Sequence, residues 1–465
     1  MSGGLRAALE AALPAGAVLA GEALAARDPG WHPDNLRAGL LVRPLDAAGV
    51  AEVLRIAAAH GASVVPQGGR TGLVGGAVSA PGQVILSTER LGRIRGIDPL
   101  GRVALVEAGV TLAALQQAAA AQGLEPGIDL AARGSATIGG MIATNAGGMS
   151  AFRHGVMRHR LLGLEAVLAD GRVLSDLPLV LKAALGPDPR QLLVGAEGTL
   201  GIVTAAALRL EPLAPANATA LIALPDLAAL PAALEAALRP AAGYLAAAEV
   251  MCARYLAELQ AAHANPLGPV AAAGRAFLLV SLAGPAEAPL AAALEDLAAG
   301  LQDAGSAADA LIAQSGAQAA RLWALREDSE ALVRRYPATP GYDVSVPLSA
   351  LAGYVAGVEA ALAGIAPGLV PVVFGHAGDG NLHLFLNLAA PLCPDRAAAA
   401  EEAILAPLAG LGGSFSAEHG IGSLRRAQLA RYADPARLDM LRALKRLMDP
   451  GGLLNPGKLL PEGRA

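Results

Sequence analysis

The chain has 465 residues, enough for two or three domains that each bury a core. Apolar residues make up 54% and charged residues 16%, which excludes a disordered chain. A formal charge of −5 without any run of Lys or Arg argues against nucleic acid or an anionic membrane surface as the main partner.

Two distant cysteines, Cys252 and Cys393, predict buried thiols in a reducing compartment and not a disulfide framework. The longest charge-free stretches are Gly134–Phe152, crowded with glycine, and Ala360–Gly378, which holds Pro367 and Pro371; neither makes a good membrane span. The apolar run Ala11–Gly21 contains Pro14 and has no basic lead-in, so Leu5–Leu13 reads as an amphipathic first helix and not as a signal. The expected location is the cytoplasm, or the periphery of the inner membrane.

In chain order, Gly39–Pro44 reads as a strand, Ala47–His60 as a helix and Ala62–Val65 as a strand. The last of these delivers VVPQGGRTGLVGGAV, with five glycines between Gly68 and Gly76. Bare backbone N–H groups in such a loop can approach a diphosphate, helped by Arg70 and Thr71. The plainer alternative is a surface hairpin, because glycine pairs are common at turns. Val84–Ser87 then reads as another strand, so the glycines do not open a helix and a dinucleotide (Rossmann) fingerprint is disfavoured. Arg102–Glu107 alternates as a strand, and Thr111–Ala121 is a helix closed by Gly123.

A second glycine cluster follows Pro126, running Ser135-Ala-Thr-Ile-Gly-Gly-Met-Ile-Ala-Thr-Asn-Ala-Gly-Gly148. It reads either as close helix–loop packing or as backbone lining a flat polar ring, and the Asn-Ala-Gly-Gly turn favours the ring. Leu161–Ala169 and Arg172–Leu174 form a hairpin across Asp170-Gly171. Gly195-Ala-Glu-Gly-Thr-Leu-Gly-Ile-Val-Thr204 is a third glycine-rich turn, and Leu208–Pro215 marks a domain boundary. Beyond it come a strand (Thr219–Leu224), a helix (Asp226–Leu238), Gly243–Cys252 as a strand or helix edge, and a strand (Phe277–Leu282). A helix (Ala286–Asp303) and a strand (Ala307–Ile312) complete a ferredoxin-like order. Leu438–Met448 is a last helix before a turn-rich tail through Lys458.

Three of eight histidines fall in Phe374-Gly-His-Ala-Gly-Asp-Gly-Asn-Leu-His383 and Ser416-Ala-Glu-His-Gly-Ile-Gly422. A spacing of seven places His376 and His383 on opposite faces of a straight strand, but Gly378-Asp-Gly380 allows the backbone to fold and the rings to converge. With Glu418 they make two imidazoles and a carboxylate, the donor set of a catalytic divalent metal, against the alternative of satisfied core histidines. His419 beside them is the natural base. Arg326, in Leu322-Trp-Ala-Leu-Arg-Glu327, reads as a carboxylate clamp if it is partly buried beside Trp323, and otherwise as a solvated helix residue.

Together these motifs resemble the flavin-dependent D-2-hydroxyacid dehydrogenases of the vanillyl-alcohol-oxidase type superfamily, which include D-2-hydroxyglutarate and D-lactate dehydrogenases and the FAD subunit of glycolate oxidase. The resemblance runs from about Gly39 to Lys458. It implies an α+β fold with a two-subdomain, PCMH-type FAD-binding domain over 1–213, a ferredoxin-like substrate domain over 214–415, and a segment over 416–465 returning to flavin and metal. By the same resemblance Pro66, Gly68, Gly69, Arg70, Thr71, Gly72, Gly75 and Gly76 hold the FAD pyrophosphate. Pro126, Gly134, Ser135, Thr137, Gly139, Gly140, Thr144, Asn145, Gly147 and Gly148 line the flavin, with Glu197, Gly198, Gly201, Ile202 and Asn455 around it. His376, His383 and Glu418 bind zinc or a similar ion, and Arg326, Ser329, Tyr342 and Phe385 face the substrate. FAD is expected to be non-covalent, since the glycine loop has no His or Cys for attachment.

The implied reaction passes hydride from a D-2-hydroxyacid to FAD N5 while His419 takes the hydroxyl proton. Electrons then go to an external acceptor, such as an electron-transfer flavoprotein, a quinone or a cytochrome. A homodimer is compatible with this reading. The chain departs from the hydroxyglutarate enzymes where Gly341 stands in place of a lysine before Tyr342-Asp343, and where Phe385 stands in place of an asparagine. The helix after Arg326 is one residue short around Ser329, and Leu185–Pro189 replaces the usual turn. Losing a cation and an amide predicts a monocarboxylic substrate, such as D-lactate or a larger D-2-hydroxyacid, with D-2-hydroxyglutarate as the alternative. Two other classes are an accessory FAD-binding subunit without activity, which should lack the His/Glu/His set, and a metallohydrolase, which would need no flavin loops.

Overall fold

A computed structural model describes residues 3–263 and 267–461. The described residues divide into two compact units: unit 1 comprises 3–148, 154–213 and 418–461, and unit 2 comprises 149–153, 214–263 and 267–417.

Unit 1 holds two main sheets. The first contains β1 (Val18–Ala20), β2 (Leu40–Val42), β3 (Val64–Gln67) and β4 (Val84–Ser87) in the order β1-β2-β4-β3. Its β2, β4 and β3 run parallel, and β1 is antiparallel. The helix Ala47–Ala59 starts at Asp46, whose side chain accepts from Gly49 N at 2.8 Å, and buries Val50, Val53, Leu54 and Ala57.

The second sheet is antiparallel and contains β5 (Ile94–Asp98), β6 (Val103–Glu107), β8 (Leu161–Val167), β9 (Val173–Asp176) and β10 (Ile202–Arg209), in the order β5-β6-β10-β8-β9. The short strands β7 (Leu124–Glu125) and β11 (Glu211–Pro212) pair separately. Residues 453–454 re-enter this unit from far along the chain. Leu454 makes a parallel bridge to Val64 and is fully buried, so the tail contributes to the core.

Unit 2 is built on one antiparallel sheet. Among the described residues its order is β15 (Asp309–Ile312), β12 (Ala216–Leu224), β14 (Ala276–Gly284), β13 (Tyr244–Cys252), β17 (Pro371–His376), β18 (Asn381–Leu386) and β16 (Gly341–Ser345). The first four strands, taken with the helices Leu230–Ala237 and Glu287–Asp303, give the expected ferredoxin-like arrangement. Gly243–Cys252, read from sequence as a strand or helix edge, is strand β13. The sheet then continues through β17, β18 and β16, which the local pattern had not assigned. The helix Leu351–Ile365 lies in an apolar window, Leu348–Ile365, long enough by composition to cross a membrane. It buries Leu351, Val355, Val358 and Leu362 within unit 2. The cysteines depart from expectation: Cys393 is exposed and Cys252 is half-buried, its Sγ accepting from Val373 N at 3.3 Å. Cys393 sits at the N-cap of Pro394–Leu411, where the helix start faces solvent.

Candidate active site

In unit 1, β3 ends at Gln67 and runs into the first glycine loop. The second glycine cluster does not form an open loop over its whole length. Thr137 caps a helix, Ile138–Thr144, by accepting from Gly140 N at 3.3 Å, and Asn145 ends it at φ 54°. A Cβ on Gly69 would collide with Ser135 O, and one on Gly68 with Thr137 Oγ1. The two glycine clusters therefore pack against each other. The packing explanation, set aside from sequence for the second cluster, accounts for part of the glycine content.

Between them lies a cleft of about 1060 Å³, counting space open to solvent. Of the residues expected around a cofactor, Pro66, Gly68, Gly69, Arg70, Thr71, Gly72 and Gly76 line it, as do Thr137, Gly139, Gly140, Thr144, Glu197, Gly198, Gly201 and Ile202. His419 lines it too. Pro126, Gly134, Ser135, Asn145, Gly147 and Gly148 lie outside that lining, together with Gly75 and Asn455. Several have supporting roles: Ser135 underlies Gly69, Asn145 Oδ1 accepts from Arg158 N at 3.0 Å, and Gly75 O accepts from Ser423 Oγ at 3.3 Å. Gln67 and Thr88 line the cleft without having been anticipated.

Two residues with positive φ fasten the cleft. Glu197 (φ 50°) accepts from Ile421 N and Gly422 N, both at 2.7 Å, and so fixes the loop that carries Glu418 and His419. Burial pushes its carboxyl above the usual range, opposed by those two N–H donors. Asn455 (φ 41°) donates to Glu197 O at 2.7 Å and Gly76 O at 3.1 Å. The cleft fits a diphosphate-bearing cofactor on its own geometry. Its wall is glycine backbone, and Arg70 Nε is buried with no hydrogen-bond partner among the described residues.

In unit 2 the hairpin β17–β18 carries the histidines. Gly380 turns it at φ 75°, where a Cβ would collide with Val346 O. The fold puts His376 and His383 on one face of neighbouring strands, with ring centroids 5.7 Å apart and edge-on. His383 Nδ1 lies 3.8 Å from Asp343 Oδ1 on β16, its cross-strand partner. Asp343 also accepts from Asn381 Nδ2 at 2.8 Å and, through Oδ2, from Ala417 N at 3.2 Å. Glu418 is the next residue in the chain. In unit 1, Glu418 Oε1 lies 3.9 Å from His419 Nε2. Within unit 2, two imidazoles and the Asp343 carboxylate fit a divalent cation by donor chemistry.

Arg326 is 7% exposed and lies near the end of the helix Gly316–Glu327. It is not a solvated helix residue. Its Nε donates to Glu249 Oε2 at 2.8 Å, and Glu249 Oε1 lies 2.7 Å from His376 Nδ1. Burial alone would raise the Glu249 carboxyl, but the Arg326 guanidinium and the hydrogen bond with His376 outweigh it and hold the group below the ordinary carboxylate value. Glu249 and Asp343 are the residues missed from sequence. The available signal for Glu249 was a single carboxylate inside the apolar strand YLAAAEVMC. Tyr342 and Ser329 are half-buried, and Phe385 packs on Phe374 with centroids 5.7 Å apart.

Residues 38–176 match a family described as FAD binding domain, and residues 213–459 match FAD linked oxidases, C-terminal domain. The chain is 40% identical over 437 residues to D-2-hydroxyglutarate dehydrogenase of Xanthomonas citri pv. viticola, covering 92% of this chain and 90% of that one. It is 35% identical over 422 residues to the mitochondrial D-2-hydroxyglutarate dehydrogenase of Bos taurus, covering 91% and 77%. Two solved structures share the fold at low identity. They are p-cresol methylhydroxylase with substrate bound (TM-score 0.74, 18% identity, 98% and 96% covered) and 4-ethylphenol oxidase from Gulosibacter chungangensis in an isoeugenol complex (TM-score 0.70, 20%, 99% and 97%). The architecture is the α+β, two-domain FAD-binding fold of the vanillyl-alcohol-oxidase type.

Proposed function

The chain belongs to the FAD-linked oxidases, and from that membership we propose that it is an FAD-dependent D-2-hydroxyacid dehydrogenase whose first candidate substrate is D-2-hydroxyglutarate. The observation that carries this reading is its similarity to D-2-hydroxyglutarate dehydrogenases over nine-tenths of the chain, with the glycine-walled cleft in unit 1. Bound FAD would supply the two-electron acceptor, and a divalent cation such as zinc would supply positive charge at the substrate hydroxyl.

The protein's own residues do the rest. Arg70 and the amides of residues 68–76 would hold the diphosphate, and Thr137 and Gly139–Gly140 would lie along the ring. His376, His383 and Glu418 would hold the cation, with Asp343 beside His383. The Arg326 guanidinium has five N–H donors and would orient the substrate carboxylate while keeping its bonds to Glu249. His419, on the wall of the cleft, would accept the hydroxyl proton. Ser329 and Tyr342 would flank the substrate, and an external acceptor would take the electrons.

A second reading, oxidation of D-lactate or a larger monocarboxylic D-2-hydroxyacid, is favoured by one observation. A Cβ on Gly341 would lie 3.7 Å from the Phe385 ring, so two positions that carry polar groups in the hydroxyglutarate enzymes here form an apolar pair. Anaerobic flavin bleaching by D-2-hydroxyglutarate, D-lactate and D-mandelate, with and without chelator, tests both. Bleaching by D-2-hydroxyglutarate alone rejects the second reading, and bleaching by none rejects the activity. His419→Ala should retain FAD and lose bleaching; retained bleaching removes it as the base.

A further inference from the structure

Two side chains given different tasks above are held by the same carboxylate. Glu249 is 1% exposed and is the lone charged residue of β13. The register of β13 on β17 sets it directly opposite His376, with Oε1 2.7 Å from Nδ1. Its other oxygen takes Arg326, with Nε at 2.8 Å and Nη2 at 2.6 Å. The backbone around Arg326 is anchored independently, because Tyr255 OH donates to Arg326 O at 2.8 Å and to Leu325 O at 3.3 Å. The guanidinium also sits 5.0 Å from the centre of the Phe374 ring.

Burying a carboxylate this deeply is costly before its partners are counted, and an apolar side chain could fill the same volume in the sheet. What an apolar side chain cannot do is fix two others. A carboxylate at Nδ1 places the N–H there and presents Nε2 as the ligating nitrogen, as is common for metal-bound imidazoles. The second oxygen of the same group selects one rotamer of Arg326. We propose that Glu249 is a positioning residue that sets His376 and Arg326 together, so that cation binding and carboxylate binding are geometrically linked. This rests on the functional reading above, which places His376 and Arg326 in those roles.

The test uses the FAD-loaded protein with Glu249→Gln and Glu249→Asp. Gln keeps one acceptor where two are used, and Asp keeps the charge but is a methylene short. FAD content, melting temperature, zinc affinity after chelation and repletion, and KM and kcat with a dye acceptor are measured. Both variants should keep FAD, bind zinc roughly 10–100-fold more weakly, and raise KM by about tenfold. The KM penalties of Glu249→Gln and Arg326→Lys should be less than additive when combined. A lower melting temperature with unchanged zinc affinity and KM, or strictly additive penalties, would leave Glu249 a packing residue and overturn the proposal. If Glu249→Gln does not fold, Glu249→Asp decides by the same measurements. Wild-type protein that neither binds zinc nor is reduced by any D-2-hydroxyacid overturns the functional reading along with this one. Wild-type protein that does both, beside indifferent variants, overturns this one alone.

Discussion

Asn455→Ala should loosen the cofactor cleft by an amount that the structure allows to be divided in two. The amide is 2% exposed and supplies a donor to Glu197 O and another to Gly76 O. Removing it leaves two buried carbonyls each short of a partner, at roughly 1–3 kcal/mol apiece. The backbone at φ 41° suits Asn better than Ala, which adds about 1 kcal/mol. The expected loss is therefore about 3–7 kcal/mol, a large part of the ~5–15 kcal/mol that separates folded from unfolded domains. Asn455→Gly removes the same two bonds but tolerates the positive φ, so it should recover about 1 kcal/mol of that loss. Urea titrations of the FAD-loaded protein, followed by flavin fluorescence and by far-UV circular dichroism, measure both variants. An Ala variant within about 0.5 kcal/mol of wild type would refute the hydrogen-bond argument. A Gly variant no better than Ala would refute the backbone part.

Two further expectations concern pH and the histidine hairpin. Glu107 is buried, which alone would raise its carboxyl, but bonds from Arg93 and Arg95 hold it below its ordinary value of 4.5. A depressed carboxylate contributes stability above its unfolded pKa and loses it as pH falls through the folded one. Wild type should therefore exceed Glu107→Gln in urea midpoint at pH 7, with the gap closing below about pH 4; a gap that does not change with pH contradicts this. Gly380→Ala forces a Cβ against Val346 O at φ 75° and should cost about 1–3 kcal/mol while weakening binding of the proposed divalent cation. Added zinc bound as tightly as by wild type would show that the hairpin adapts without moving its histidines.

Much of unit 2 was legible because alternating apolar strands and helices of 3.6 periodicity are local signals. The order from β12 to β15 follows from them. Strands β16 to β18 were harder to assign, since their glycines and histidines obscure alternation until the hairpin is known. Glu249 was unreadable for a related reason. A solitary carboxylate acquires meaning only from the register of β13 on β17, and its partner His376 lies 127 residues away. In unit 1 the glycine loop announced a backbone-lined cleft. Sequence could not show that Gly69 is also required by the carbonyl of Ser135, because that contact joins two motifs far apart in the chain.

The tail's return to β3 has a consequence for biosynthesis. Val64, Gly76 and Glu197 leave the ribosome long before Leu454 and Asn455 exist to fasten them. These walls of the cleft therefore stay unfastened until translation is nearly over.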